Sequence, residues 1–264
     1  MVATVGIARG AADPPGPSVS FPRQVLDSWP RPPAGEVLLS PPTPVPELGR
    51  RASLIVVTLP AREAGVILSS LRGVISVETV LVCTSPSMSL CAMRRAVGPG
   101  PGLFRAIVTP GTGPGEGIVA LAPETGTGAE RVDEAKESFA WVGNVEVMTE
   151  EALDAVAALT LGAVGFICTV LDGLEEGAAC AGLPRETARP FVRQTALATA
   201  LLLQDHAGSP ADLKDQVASP GGTTIAALAT LEDAGVRGAF IRAVQRSALE
   251  IRARRDAACS DMIE

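Results

Sequence analysis

The chain of 264 residues contains no tyrosine, a single histidine and only 3% aromatic residues. Few ring faces and no basic stripe mean that the stacking platforms and cationic tracks that hold nucleic acid are missing, and the net charge of −7 is spread rather than blocked. The cysteines, Cys83, Cys91, Cys168, Cys180 and Cys259, are odd in number and lack metal-ligand spacing. They read as buried thiols in a reducing compartment, and no metal is expected. The chain opens without a basic flank and apolar segment, and no run of eighteen apolar residues is free of charge or helix breakers. A soluble cytoplasmic protein with no membrane partner is the expectation. His206 stands beside Gly208 near a helix end and reads as a solvated terminal residue. No carboxylate pair offers itself, so general acid–base chemistry is not expected. What is present is a 47% hydrophobic composition, which supplies a core of Ala, Val, Leu and Ile large enough for one large or two modest domains.

One stretch organises the rest: Ser219-Pro220-Gly221-Gly222-Thr223-Thr224, followed at once by the apolar run Ile225 to Leu231. A turn that opens a helix through two threonines gathers hydroxyls and unpaired N–H groups at the helix N-terminus, where a carboxylate or oxyanion binds. The glycines allow close approach of a ligand, and Pro220 stiffens the turn. The same residues are also what a well-capped helix start requires.

Read with Gly182-Leu183-Pro184-Arg185-Glu186, Asp212-Leu213-Lys214-Asp215-Gln216-Val217-Ala218 and Leu231-Glu232-Asp233-Ala234-Gly235-Val236-Arg237, this hexad resembles the C-terminal domain of the pyrroline-5-carboxylate reductases over about the last 110 residues. The resemblance implies a helical dimerisation domain. It also implies that the turn holds the substrate's carboxylate and imine end against NAD(P)H from an N-terminal Rossmann domain. The expected fold is therefore an α/β Rossmann-like domain over 1–147 and an all-α dimerisation domain over 148–264.

The first half departs from that family. Val2–Ile7 reads as the first buried strand, but the Gly-x-Gly-x-x-Gly turn that should follow has Arg9, Ala11 and Pro14 at its glycine positions. Prolines from Pro14 to Pro46 leave room for at most a short helix over 22–29 and a strand near 36–39, an atypical first βα unit that is ordered but reduced. Strands are then expected over 54–57, 77–83, 102–108, 117–122 and 142–147, and helices over 62–71, 90–97 and 129–139. Leu59 replaces the family's lysine after the first of these runs, and Val108 and Thr109 stand where its Pro-Asn pair belongs. Arg105 and the Gly115-Glu116-Gly117 turn fit the family pattern. The family's proline-broken element reads Thr160-Leu161-Gly162-Ala163-Val164-Gly165-Phe166, so a single apolar helix over 150–181, buried on most sides, is expected. Helices over 184–206, 210–218, 223–234 and 237–255 complete the chain.

Three functions follow. The first expectation is a non-redox cyclase or isomerase of specialised metabolism that has lost NAD(P)H and uses no cofactor. Leu161, Val164 and Phe166 would line its apolar pocket, Gly221 and Gly222 would bind substrate, and Ser219, Thr223 and Thr224 would stabilise developing negative charge. The alternative is an NADPH-dependent cyclic-imine reductase with an atypical phosphate loop. The third is an inactive binding protein. A homodimer acting on a small molecule is expected in the first two cases.

Overall fold

The computed structural model describes residues 2–5, 45, 49–50, 52–109, 117–140 and 142–261. The expectations for 6–44, including Arg9, Ala11, Pro14, the short helix and the strand near 36–39, lie outside these residues, as do Gly115 and Glu116.

Continuous apolar runs become strands because both of their faces are covered. β1 (Val2–Val5), β2 (Leu54–Val57), β3 (Val80–Cys83) and β4 (Gly102–Val108) lie side by side in parallel. β5 (Gly117–Pro123) pairs antiparallel with β4 and parallel with β6 (Gly143–Val147), which gives a six-stranded sheet in chain order among the described residues. Alternation along the strands splits the core in two. Ile55, Val57, Leu81 and Leu103 pack with α1 (Ala61–Ser70) and α2 (Leu90–Val97). Leu54, Val56, Val80, Val82 and Phe104 pack with Ala135 and Phe139 of α3 (Ala129–Phe139). Leu153 and Ala157 of α4 (Glu150–Thr160) cover Ile107, Ala120 and Ala122.

The remaining helices are α5 (Ala163–Cys180), α6 (Arg185–Asp205), α7 (Pro210–Gln216), α8 (Thr223–Asp233) and α9 (Val236–Asp261). Contacts gather into two compact units, residues 1–161 with 247–264 and residues 162–246. In the second unit α5 and α6 are joined by charge: Arg185 pairs with Asp172 and with Glu176 at 3.1 Å, and Arg189 reaches Glu175 at 3.3 Å.

The expected single helix over 150–181 is corrected. α4 ends at Thr160 and α5 begins at Ala163. Leu161 and Gly162 keep right-handed helical torsions, but regular helical hydrogen bonding lapses between Leu161 N–H to Ala157 and Phe166 N–H to Gly162. Glycine weakens the helix there without the sharp break a proline imposes. In the single chain Val164, Ile167, Val170 and Leu174 of α5 are exposed, and the burial on most sides expected from sequence was that of a dimer.

The reading of the cysteines as buried thiols is also corrected. Cys83 is buried, Cys259 is half-buried, and Cys91, Cys168 and Cys180 are exposed on helices. Burial pushes the Cys83 thiol up to about 11, which makes it inert at neutral pH.

Candidate functional site

The hexad forms a tight turn. The Gly222 N–H donates to the Ser219 carbonyl at 3.0 Å, with Pro220 at the first central position and Gly221 at φ 68° in the second. That is a type II turn, whose second central residue needs the left-handed conformation glycine adopts without cost. Gly222 is close-packed: a Cβ there would lie 2.6 Å from the Ser219 Oγ, which would have to rotate away, and 3.1 Å from the Ser219 carbonyl oxygen.

Gly222 is also the N-cap of α8, and no side chain caps this helix. Elsewhere Ser89 caps α2, Thr149 caps α4, and Ser209 with Asp212 forms a reciprocal capping box on α7. The hydroxyls of Ser219, Thr223 and Thr224 are exposed and make no hydrogen bond among the described residues. The turn therefore presents hydroxyl donors and the first-turn N–H groups of Thr223, Thr224 and Ile225, while the Gly222 N–H is consumed in closing the turn.

Of the other expected pocket residues, Leu161 follows the end of α4, and Val164 and Phe166 lie in the first turn of α5, with Leu161 and Val164 exposed and Phe166 half-buried. The structure thus gathers Ser219 to Thr224 in one turn and Leu161, Val164 and Phe166 at the helix lapse.

A second set of polar groups lies in the other unit, at the carboxyl ends of the parallel strands, where open α/β sheets bind ligands. β2 runs into Thr58-Leu59-Pro60 and β3 into Thr84-Ser85-Pro86-Ser87-Met88-Ser89. Leu59 is buried in the core with α1, so its side chain belongs to packing and not to a ligand. Val108 packs against the sheet core, and Thr109 donates its hydroxyl to the Ile118 carbonyl at 3.1 Å, continuing the β4–β5 pairing.

Behind the β3–α2 loop sits a buried ion network that sequence reading missed. Arg105, fully buried in β4, donates to Glu150 at 3.0 Å, to the Pro86 carbonyl at 2.7 Å and to Asp154 at 3.3 Å. Glu150 also accepts the Leu90 N–H at 2.8 Å, and Asp154 takes Arg255 of α9 at 2.6 Å. The loop is held from both ends. The sequence signal was a charged residue inside the apolar run Leu103 to Val108. Among the described residues no group of three or more His, Cys, Asp or Glu could hold a metal ion.

The family model for pyrroline-5-carboxylate reductase dimerisation matches residues 150–253. A pyrroline-5-carboxylate reductase of Synechocystis is 40% identical over 116 residues, 44% of this chain and 43% of that protein. One from Corynebacterium melassecola is 30% identical over 185 residues, 69% of this chain and 68% of that protein. The chain belongs to the pyrroline-5-carboxylate reductase family. The chain thus spans less than half of the first relative's length and about two thirds of the second's. The pyrroline carboxylate reductase of Plasmodium falciparum, solved with NADP bound, shares the fold at a TM-score of 0.70 and 18% identity over 84% of this chain and 85% of that one.

These relatives correct the expectation that no cofactor is used. That expectation rested on Arg9, Ala11 and Pro14, on Leu59 and on Val108 and Thr109. The family is one of reductases, and a member with this fold carries a dinucleotide. They also favour the reductase alternative over the cyclase or isomerase. Homo-oligomerisation follows from the dimerisation model. Glu150–Cys180 is long and apolar enough to cross a membrane by length and composition alone. The stretch falls inside the dimerisation match.

Proposed function

We propose that the chain is an NAD(P)H-dependent reductase of a cyclic imine bearing a carboxylate, of the pyrroline-5-carboxylate type, and that it works as a homodimer. In this reading residues 1–147 form the dinucleotide domain and 148–264 the dimerisation domain. The observation that carries it is the start of α8, where a glycine-rich turn leaves three hydroxyls and the first N–H groups without an internal acceptor.

The strand ends suit a dinucleotide. Thr58, Thr84, Ser85 and Ser87 supply neutral hydroxyls, and neither loop holds a carboxylate that would repel phosphate. These residues would hold the cofactor, together with the Thr84–Ser89 loop that Arg105 and Glu150 fix in place. When bound, the cofactor supplies a hydride. The chain's own part is positioning. The N–H groups of Thr223 and Thr224, at the positive end of α8, would bind the substrate carboxylate, and the hydroxyls of Ser219, Thr223 and Thr224 would fix the imine face. The hexad holds no group that titrates near neutrality, so the imine is taken up already protonated from solvent. Leu161, Val164 and Phe166 would exclude water beside it.

The test is NADPH or NADH oxidation, followed by absorbance, on addition of pyrroline-5-carboxylate to the purified full-length protein. Saturable oxidation that needs both substrates is expected. A folded dimer that oxidises neither nucleotide overturns the reading, and conversion of an imine without oxidation returns the non-redox alternative.

A further inference from the structure

Cys91, in the first turn of α2, and Cys259, in the last turn of α9, are 168 residues apart in sequence, yet their Sγ atoms lie 3.1 Å apart. Both thiols are free and both belong to the same compact unit. The approach is built by the surrounding helices. Arg95, one turn after Cys91, donates to the Cys259 carbonyl at 3.1 Å, and Arg255, one turn before Cys259, is anchored on buried Asp154 at 2.6 Å. Cys91 is exposed and Cys259 half-buried, so a small reagent reaches the first and the second stands behind it. The hydrogen-bonding contact with the Cys259 sulfur, which favours the protonated thiol, is the main cause raising Cys91 above its ordinary value, ahead of burial and the Cys259 field, with Arg95 pulling it down. The other cysteines are not placed for this chemistry: Cys83 is buried in the sheet, and Cys168 and Cys180 lie on α5 in the other unit.

We propose that Cys91 and Cys259 are a reversible dithiol site that takes a low-molecular-weight disulfide as oxidant and staples the end of α9 to α2. The Cys91 thiolate, having released its proton to solvent, attacks one sulfur of the oxidant and expels the other as a thiolate, leaving a mixed disulfide. Cys259 loses its proton and attacks the Cys91 sulfur, expelling the second small thiolate. One S–S bond forms in the protein and one is cleaved in the reagent, which carries away the two electrons as two thiols. The new bond closes a chain segment of 168 residues, and long closures constrain the unfolded chain most. α9 begins in the helical unit and ends beside the sheet unit's helices, so the staple fixes the return of the chain to its first half. The proposal does not depend on the reductase reading.

The reduced, full-length protein is treated with oxidised glutathione and followed by intact mass, non-reducing peptide mapping and thermal melting. The expected result is the loss of two hydrogens with no glutathione retained on Cys91 or Cys259, a Cys91 peptide linked to the Cys259 peptide of the same chain, and a melting temperature raised by about 10 °C. Dithiothreitol reverses all three. C259S keeps a glutathione adduct on Cys91, C91S leaves Cys259 as a thiol, and both lose the rise. Unchanged mass, a stable glutathione adduct on wild-type Cys91, a link between chains or a link to any other cysteine overturns the proposal.

Discussion

The two contact units use apolar residues in opposite ways. In residues 52–161 the apolar positions of β2, β3 and β4 are almost all buried, with Val57, Leu81, Val82 and Phe104 at zero exposure. Among the described residues of 162–246 the buried ones are Ala188 and Glu175, while Ile167, Leu174, Phe191, Leu197, Leu201 and Leu202 are more than half exposed. The sheet unit completes its core within one chain. The helical unit carries the sequence of a core without the partner that would close it, and its α5 stripe of Val164, Ile167, Val170 and Leu174 recurs at the helical spacing of one face. An exposed apolar stripe of this kind marks an interaction surface, and the dimerisation model matches the same residues.

The strongest way to break this contrast is a charge in the helical stripe. Ile167→Glu or Leu174→Glu removes about 1.5–3 kcal/mol of burial per chain and adds the desolvation of a carboxylate with no partner. The expected outcome is a monomer in sedimentation velocity and loss of the helical unit's cooperative melting. A dimer at unchanged protein concentration would mean that a second copy does not cover this face.

In the sheet unit the corresponding weak point is polar. Asp154 has zero exposure and sits between Arg105 and Arg255. Asp154→Asn leaves both guanidinium groups short of their buried countercharge, at a cost of about 3–5 kcal/mol. A fall of about 10 °C in melting temperature is expected with the oligomeric state unchanged. If the dimer also dissociated, the two units would not be separable in the way their burial suggests.

The sheet was legible because doubly covered strands are written as unbroken apolar runs, and Leu54–Val57, Val80–Cys83 and Gly102–Val108 fall where those runs end. The helix lapse at Leu161-Gly162 was not legible, because no proline marks it and both residues keep helical torsions. That the hexad turns into a helix was legible from Pro220, Gly221 and Gly222, but not its type II geometry. That neither threonine would cap α8, and that the Gly222 N–H would be used up within the turn, depended on side-chain and backbone geometry that no pattern records. The cofactor was misjudged because departures from the family pattern at Arg9, Ala11 and Pro14, at Leu59 and at Val108 and Thr109 were taken to abolish binding, whereas the fold is shared with a relative solved with NADP bound. The Cys91–Cys259 contact and the Arg105 network join residues far apart in the chain, and residue-type statistics are blind to both.

Within the helical unit the contrast narrows to two neighbouring helix starts, α7 capped and α8 uncapped. If the α8 turn serves a ligand, Thr224→Val and Ser219→Ala should lower kcat/KM by about 10–100-fold, the value of one or two hydrogen bonds to a charged group. Their melting temperatures should move by less than about 2 °C, since these hydroxyls have no internal partner to lose. Gly222→Ala should lower both, because its Cβ would displace Ser219. Equal losses of activity and stability in the two hydroxyl variants would make the turn a structural element alone.

The smallest effect belongs to α7. Ser209→Ala removes a cap worth about 1 kcal/mol and should leave turnover untouched. The Asp212 carboxyl is held below its ordinary value of 3.8 by the Ser209 hydroxyl and then by the Ser209 N–H. A carboxylate lowered in the folded state stabilises the protein above its unfolded value and loses that contribution as pH falls through its folded value. The melting difference between wild type and Ser209→Ala should therefore be full at neutral pH and shrink below the ordinary aspartate value of 3.8. A difference that stayed constant down through that range would assign the cap to the hydroxyl alone, with no share for the Asp212 charge.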